Sequence, residues 1–288
     1  MAAPTSLAGY DSYTYFLITS PAPYVAHVEI NRPAKLNAFL RAMWLELRVI
    51  FDKLSHDPNV RAVVLTGAGD RAFTAGLDVQ AAAASEPTLA GSSIKMDVAR
   101  AATVRRRDLV EFQECIQAVE KCEKPVICVL HGISIGLAID LSTCADVRIC
   151  AANARFAVKE VDIGLAADIG TLSRLPKCVG SFSWVKDVCL SARMFDAREA
   201  LTVGFVSQVH EDKSKAVEAG LKMAELLATK SPVAVQGTKE LLNHARDHSV
   251  DESLRYTAIW NQGMLQSDDV SAALLSGLQK RKPTFEKL

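Results

Sequence analysis

The sequence has no excess of charge of either sign, and this absence limits the partners it can have. Lysine plus arginine and aspartate plus glutamate each number 33 among 288 residues. No global basic field therefore exists to attract nucleic acid or an anionic membrane. The chain also lacks an apolar run approaching the roughly 20 residues that span a bilayer. We predict neither a nucleic-acid nor a membrane partner, so any anionic ligand must be bound locally.

Paired cysteines are absent as well. The seven cysteines are scattered without a Cys-x-x-Cys pair, which indicates buried thiols in a reducing compartment rather than disulfides or a metal site. The N-terminus has no basic region followed by a long apolar one, so it predicts neither a secretory leader nor a mitochondrial presequence. The ending Glu286-Lys-Leu288 resembles the Ser-Lys-Leu address, from which we expect a peroxisomal protein, or otherwise a cytoplasmic one.

Apolar strands that alternate with amphipathic helices make up the first two thirds of the chain. With 49% hydrophobic residues, the chain can build a large α/β core. The patterns predict a hairpin over 13–30, helices over 41–54, 104–122 and 136–144, and strands at 62–65, 126–130, 147–150 and 155–158. We expect a core with the active site over 1–210 and a helical oligomerisation region over 211–288. That region should end in an amphipathic helix over 253–278, and residues 80–102 should form a mobile segment.

Three carboxylates lie in or beside the most apolar stretch, at Asp140, Glu160 and Asp168. Acids are rarely buried without a partner, because desolvating a carboxylate is costly. If all three converge on one pocket, desolvation and mutual repulsion keep at least one protonated near neutral pH, which supplies an acid and a base together. Two alternatives stay open. Asp140 can merely stabilise a helix dipole, and Asp162 can be a salt-bridged member of the group.

Two loops containing glycine follow buried strands. In 65–78, the small residues around Gly76 let the main chain approach a ligand and expose the Leu77 amide, although a plain turn explains them too. The spacing is not Gly-x-Gly-x-x-Gly, so it does not predict a dinucleotide loop. In the second loop, the Leu137 amide opens a helix and can hydrogen-bond a developing oxyanion. We interpret His131, at the strand end, as a structural hydrogen-bonder.

These residues resemble the crotonase (enoyl-CoA hydratase/isomerase) family. The segment 31–38 is similar to the family signature near the CoA adenine, and 73–78 is similar to its first oxyanion loop. The second oxyanion loop is normally a triple-glycine turn, whereas here it is Gly136-Leu137-Ala138, which preserves the amide and narrows the space around it. The resemblance implies two sets of ligand-binding residues: Lys35, Leu36 and Ala38 for CoA, and Ala75, Gly76, Leu77, Asp78, Val79 and Leu137 for the substrate and oxyanion.

Within this family, the acids are most similar to those of the isomerases that convert 3,5-dienoyl-CoA to 2,4-dienoyl-CoA. Hydratases have glutamate at the positions of Asp140 and Glu160, and usually glycine at that of Asp168. The resemblance implies an enzyme of fatty acid β-oxidation in which Glu160 acts at C2 and Asp168 at C6. Asp140 is implied to support them by tuning their pKa values.

The resemblance also implies the architecture and the partners. We expect a crotonase-like spiral of ββα units with a C-terminal helical layer, assembled as a homotrimer or homohexamer. The expected substrate is an acyl-CoA, with no metal and no separate cofactor. One alternative is an enoyl-CoA hydratase, which adds water with two acids and has no use for a third. The other is a non-catalytic binding protein of the same fold.

Overall fold

The computed structural model describes residues 5–81 and 96–288. The strands are β1 Thr5–Ser6, β2 Phe16–Ala22, β3 Val25–Ile30, β4 Ala62–Gly67, β5 Ala72–Thr74, β6 Val126–Leu130, β7 Ile133–Ile135, β8 Val147–Ala151, β9 Arg155–Ala157, β10 Phe195–Asp196 and β11 Gln208–His210. The helices are α1 Arg41–His56, α2 Val98–Lys121, α3 Leu137–Thr143, α4 Thr171–Cys178, α5 Phe182–Ser191, α6 Ala197–Thr202, α7 Lys213–Ala228, α8 Pro232–Asp247, α9 Val250–Met264 and α10 Asp268–Leu278. Two 3-10 helices cover Pro33–Lys35 and Glu160–Ile163.

A larger sheet forms the centre of the molecule, with strand order β1-β2-β3-β4-β6-β8-β11. The first three strands are antiparallel, and from β3 onward neighbouring strands are parallel. Strands β4 and β6 are wholly buried, as expected for apolar runs covered on both faces. On one face lies α7, which approaches so closely that a Cβ added at Gly220 would lie 2.7 Å from Val129 Cγ2. The opposite face builds the main core.

A smaller sheet has the order β10-β9-β7-β5, in which β5, β7 and β9 are parallel. The chain therefore repeats one unit three times: a strand in the larger sheet, a strand in the smaller sheet, then a helix. The units are β4-β5-α2, β6-β7-α3 and β8-β9-α4. Because the three short strands are parallel neighbours, the segments that follow them emerge side by side at one edge.

The structure differs from the sequence-based expectations in several places. The predicted helix over 253–278 is two helices, because the Ser267 side chain accepts from the Asp269 amide and starts α10 anew. A helix at Thr171–Cys178 was not predicted. Of the segment 80–102, residues 82–95 lie outside the described residues, and α2 already begins at Val98.

No described helix is long and apolar enough to cross a membrane.

The C-terminal helices expose many large apolar side chains. Leu254, Ile259 and Leu265 are more than 60% exposed on and after α9, and Leu274 and Leu278 are likewise exposed on α10. Surface leucines scattered singly are ordinary, but so many on two consecutive helices are typical of a protein interface.

Candidate active site

The candidate site forms where the three repeated units leave the smaller sheet. The segment after β5 contains Gly76 and Leu77, the segment after β7 contains Gly136 and Leu137, and the segment after β9 contains Glu160 and Asp168. The parallel pairing of β5, β7 and β9 brings these segments together although almost a hundred residues separate them in sequence.

The first two segments touch each other at their glycines. Gly76 has φ of 88°, and a Cβ there would lie 3.0 Å from the Ile135 carbonyl oxygen and 3.4 Å from the Leu137 nitrogen. Only glycine permits both this conformation and this approach. Among the described residues, none accepts a hydrogen bond from the amides of Leu77 or Leu137. Two donor groups are thus held on adjacent loops, as the predicted oxyanion hole requires.

Asp140 is the most deeply buried of the three acids, on α3, at 2% exposure. Its Oδ1 accepts hydrogen bonds from the Thr171 amide at 2.6 Å and from the Thr171 hydroxyl at 2.8 Å. Burial raises the pKa of Asp140 to about 6, while the Thr171 bonds and the positive charge of Arg174 oppose this rise. The carboxyl is therefore anchored to the start of α4 and is ionised at neutral pH.

Glu160 is half-buried, with little hydrogen bonding to offset the desolvation of its carboxylate. Its Oε2 is buried and has no hydrogen-bond partner among the described residues. The other oxygen, Oε1, lies 3.6 Å from where a Cβ would stand on Gly136, next to the second oxyanion loop. Burial, and then the negative charges of Asp140 and Asp168, raise the pKa of Glu160 to about 7. Such a carboxyl can give or take a proton near neutral pH.

Asp168 lies on the loop between Glu160–Ile163 and α4 and is the most exposed of the three acids. Its carbonyl oxygen accepts a hydrogen bond from Gln113 Nε2 at 2.5 Å, which ties the loop to α2. Partial desolvation raises the pKa of Asp168. The charge of Asp168 acts on both Asp140 and Glu160, so the three carboxyls form one electrostatic group.

The segment similar to the CoA signature packs directly on the first oxyanion loop. The Ala75 amide donates to the Leu36 carbonyl at 2.9 Å, and Leu36 has a left-handed φ of 52°. Lys35 is exposed beside it, and Ala38 is buried. Because hydrogen bonds join the two segments directly, a ligand bound along residues 35–38 would be held in register with the amides.

Arg32 and Asp78 support this junction. The Arg32 guanidinium donates to the Ala38 carbonyl and to the Asp78 carboxylate, each at 2.8 Å. The Ala81 amide, and then Arg32, hold the pKa of Asp78 below its usual range. Asp78 therefore braces the loop, whereas Val79 next to it is 54% exposed and free to face a ligand.

The contacts of His131 and Asp162 agree with the structural roles predicted for them. His131 is fully buried, and its Nε2 hydrogen-bonds the Gly69 carbonyl at 2.8 Å, which agrees with a structural role. Asp162 forms an ion pair with Lys159 at 2.8 Å, so it is the salt-bridged member of the acidic segment.

Three residues important to the site carried little or no sequence signal. Thr171 is a hydroxyl among several, and nothing local indicates that it binds Asp140. The buried amide of Asn37 donates to the carbonyls of Ala68 and Ala72, each at 2.9 Å. It lies inside the CoA-like signature, which was the one available hint. Arg174 lies beside Gly170 and binds Glu120.

Comparison with known proteins identifies the family. Residues 22–287 match the family described as enoyl-CoA hydratase/isomerase. The chain is 44% identical over 289 residues to the mouse protein named Delta(3,5)-Delta(2,4)-dienoyl-CoA isomerase, mitochondrial, covering 99% of this chain and 86% of the relative. It is 40% identical to the peroxisomal protein of the same name from Arabidopsis thaliana, covering 92% and 93%.

A solved structure shows the same fold. The enoyl-CoA hydratase from Bacillus anthracis superposes with a TM-score of 0.84 over 95% of this chain and 99% of that one, at 26% identity. The predicted α/β spiral with a helical C-terminal region is therefore confirmed. On the matched residues and the shared fold, this chain belongs to the enoyl-CoA hydratase/isomerase family, the crotonases.

Proposed function

We propose that this protein is a dienoyl-CoA isomerase that converts a 3,5-dienoyl-CoA to the 2,4-dienoyl-CoA. The observation that carries this proposal is the third carboxyl, Asp168, which stands in one electrostatic group with Glu160 and Asp140. A shift of two double bonds requires proton exchange at two carbons that lie four bonds apart. Two separate carboxyls can serve these two carbons, and the mouse and Arabidopsis relatives are named for this reaction.

The reaction begins at C2, whose proton is acidified by the thioester carbonyl. The Glu160 carboxylate takes this proton, and the C2–H electron pair enters a dienolate whose negative charge spreads from the thioester oxygen to C4 and C6. Protonated Asp168 then delivers a proton to C6, which leaves double bonds at C2–C3 and C4–C5. One C–H bond breaks and one forms, so the substrate keeps its charge and oxidation state.

The site residues supply the stabilisation that this path needs. The Leu77 and Leu137 amides donate to the thioester oxygen as its negative charge develops, which is the usual task of an oxyanion hole. Glu160, with a pKa of about 7, is basic enough to take the C2 proton yet is ionised in part at neutral pH. A bound acyl chain displaces water from Asp168 and raises its pKa further, which favours the protonated form that donates at C6. These steps use no metal and no separate cofactor.

An enoyl-CoA hydratase is the competing function. The chain is 30% identical over 259 residues to the Short-chain-enoyl-CoA hydratase of Clostridium acetobutylicum. Hydration requires an ordered water next to two acids, and a third carboxylate beside them would compete with that water. Glu160 and Asp140 alone would serve either reaction, so Asp168 is the residue that separates the two.

The deciding experiment incubates the protein separately with a 3,5-dienoyl-CoA and a 2-enoyl-CoA. We expect a rise in the absorbance of the 2,4-dienoyl thioester with the first substrate and little loss of the enoyl absorbance with the second. The reverse result would establish the hydratase. Activity on neither substrate would favour a non-catalytic binding protein of the same fold.

We further propose that the protein assembles as a homotrimer or a pair of trimers. The exposed leucines and isoleucine on α9 and α10 support this proposal, since a monomer would leave this apolar surface in water. Sedimentation at micromolar concentration should give three or six times the 31.1 kDa chain mass, and a monomer would contradict the proposal.

We propose a peroxisomal location and a role in fatty acid β-oxidation. The Arabidopsis relative is named peroxisomal, whereas the mouse relative is named mitochondrial. The test is a fluorescent fusion that ends in Glu286-Lys-Leu288. Arg61 binds the carbonyls of Phe285 and Glu286, so Arg61→Ala should free this tail and improve import. A cytosolic distribution of both fusions would refute the location.

A further inference from the structure

A buried ion cluster lies next to the candidate site. Glu120, near the end of α2, receives Arg174 from α4, with Nε and Nη2 each 2.9 Å from its Oε2. Its other oxygen accepts a hydrogen bond from Arg246 of α8. The side chains of Glu120 and Arg174 are only 10% and 12% exposed. One carboxylate thus fastens α4 and α8 to α2.

Helix α4 depends on this attachment. It has only eight residues, and Pro176 inside it lacks the amide that would bond to Leu172. A helix this short has little stability of its own. Its position is therefore decided by what its side chains bind: Thr171 at its start binds Asp140, and Arg174 binds Glu120.

Arg174 also packs against the turn that carries Asp168 and leads into Thr171, the partner of Asp140. Gly170 has φ of 152°, which side chains rarely adopt, and a Cβ there would collide with the Arg174 guanidinium. The amides of Ser173 and Arg174 both bond to the Gly170 carbonyl. Asp168 lies two residues before this glycine, and Thr171, which holds Asp140, comes directly after it.

We propose that Arg174 is a positioning residue for the isomerisation: its guanidinium holds the turn that places Asp168 and Thr171, and through Thr171 it positions Asp140. This inference rests on the proposed function. Arg174 need not touch the substrate, because it acts through Gly170, Thr171 and Asp140.

The charge of Arg174 reaches Glu160 through Asp140. Arg174 opposes the rise in the pKa of Asp140, and ionised Asp140 raises the pKa of Glu160. Without this positive charge, Asp140 stays protonated to higher pH and repels Glu160 less, so the pKa of Glu160 falls. The other titratable groups that act on this pair are Asp168, Cys144 and Cys189, and all are retained when Arg174 alone is changed.

Three variants separate the effect of the Arg174 charge, the effect of the guanidinium shape and a general effect on the stability of the fold. Arg174→Gln removes the charge and the fork, whereas Arg174→Lys keeps the charge but loses the planar contact with Gly170. Arg246→Gln is the matched control, because it removes an equal charge from the same partner, Glu120, without touching the turn. Circular dichroism and thermal unfolding establish that each variant is folded.

The first measurement is a carbon-13 NMR titration of glutamate-labelled protein, with the Glu160 signal identified by its loss in Glu160→Gln. Arg174→Gln should lower the pKa of Glu160 by about half a pH unit or more. Arg174→Lys and Arg246→Gln should leave this pKa near that of the unchanged protein. Because this measurement needs no substrate, it tests the electrostatic role even if the proposed reaction is wrong.

The second measurement is isomerase kinetics. Arg174→Gln and Arg174→Lys should both lower kcat by about 10-fold or more, with little change in KM, since misplacing a proton donor by about 1 Å is enough. In Arg174→Gln, the acid limb of the pH–rate profile should also move to lower pH. The inference is overturned if Arg174→Gln and Arg246→Gln give the same Glu160 titration and the same kcat, because Arg174 would then be a structural ion pair only. Failure of the unchanged protein to isomerise would instead refute the proposed function.

Discussion

Replacing Glu160 by glutamine should abolish activity and at the same time stabilise the fold. Glutamine has nearly the same shape as glutamate but cannot accept the C2 proton. We expect turnover to fall by at least the ~10²-fold typical of lost acid–base catalysis. The gain in stability follows from the pKa of Glu160, which burial and the nearby carboxylates raise from 4.5 to about 7.

The magnitude comes from proton linkage. Each pKa unit corresponds to about 1.4 kcal/mol, so ionised Glu160 reduces the free energy of unfolding by about 3.5 kcal/mol at most. Below pH 4.5, the carboxyl is protonated in both the folded and the unfolded chain, and this cost is absent. It grows between pH 4.5 and about 7 and remains in full above that range. Glutamine never ionises, so its advantage should appear only above pH 4.5.

The assay is urea unfolding at about pH 4 and about pH 8, together with isomerase turnover. Glu160→Gln should match the unchanged protein at the lower pH and be more stable, by about 3.5 kcal/mol at most, at the higher pH. Asp162→Asn is the control, because Asp162 lies on the same 3-10 helix with its side chain 52% exposed in an ion pair. A Glu160→Gln protein that is less stable at pH 8, or that retains turnover, would refute the assignment of Glu160 as a half-buried catalytic base with a raised pKa.

Further substitutions test the other residues of the site. Asp168→Asn should lower isomerisation by ~10²-fold or more yet retain exchange of the C2 proton with deuterated solvent, and equal loss of both in a folded variant would contradict the assignment to C6. Leu137→Ala should retain much activity. Leu137→Pro places proline at a helix position that accepts it, and it should lose activity because the amide is removed. Equal losses of activity in the two folded variants would contradict the oxyanion role of the Leu137 amide. Thr171→Val keeps the amide bond to Asp140 but loses the hydroxyl, and the free energy of unfolding should fall by about 1.5–3 kcal/mol. The hydroxyl favours ionised Asp140, whose pKa is about 6, so this loss of stability should be larger at pH 8 than at pH 5. A loss independent of pH would contradict the role of Thr171 in favouring ionised Asp140.

Much of the fold could be predicted from hydrophobic patterning. The strands Val126–Leu130 and Val147–Ala151 and the helix Arg41–His56 agree with the predicted ranges to within two residues. The helix is long enough for its apolar period to be unambiguous, and the two strands are short apolar runs of the length typical of buried strands. The sequence also determined the chemical types available: three acids in apolar surroundings and two glycine loops, in an order that matches the crotonases.

Tertiary structure decided how these groups meet. Strands β5 and β7 have only three residues each, which is too short for a periodic pattern, yet their pairing with β9 sets the two oxyanion loops and the acidic loop side by side. The contact between Thr171 and Asp140 spans 31 residues, and that between Arg174 and Glu120 spans 54. Local sequence supplies the donor and the acceptor but does not indicate which partner each will find. Their pairing, and with it the ionisation of Asp140 and Glu160, depends on burial and charge that exist only after the chain has folded.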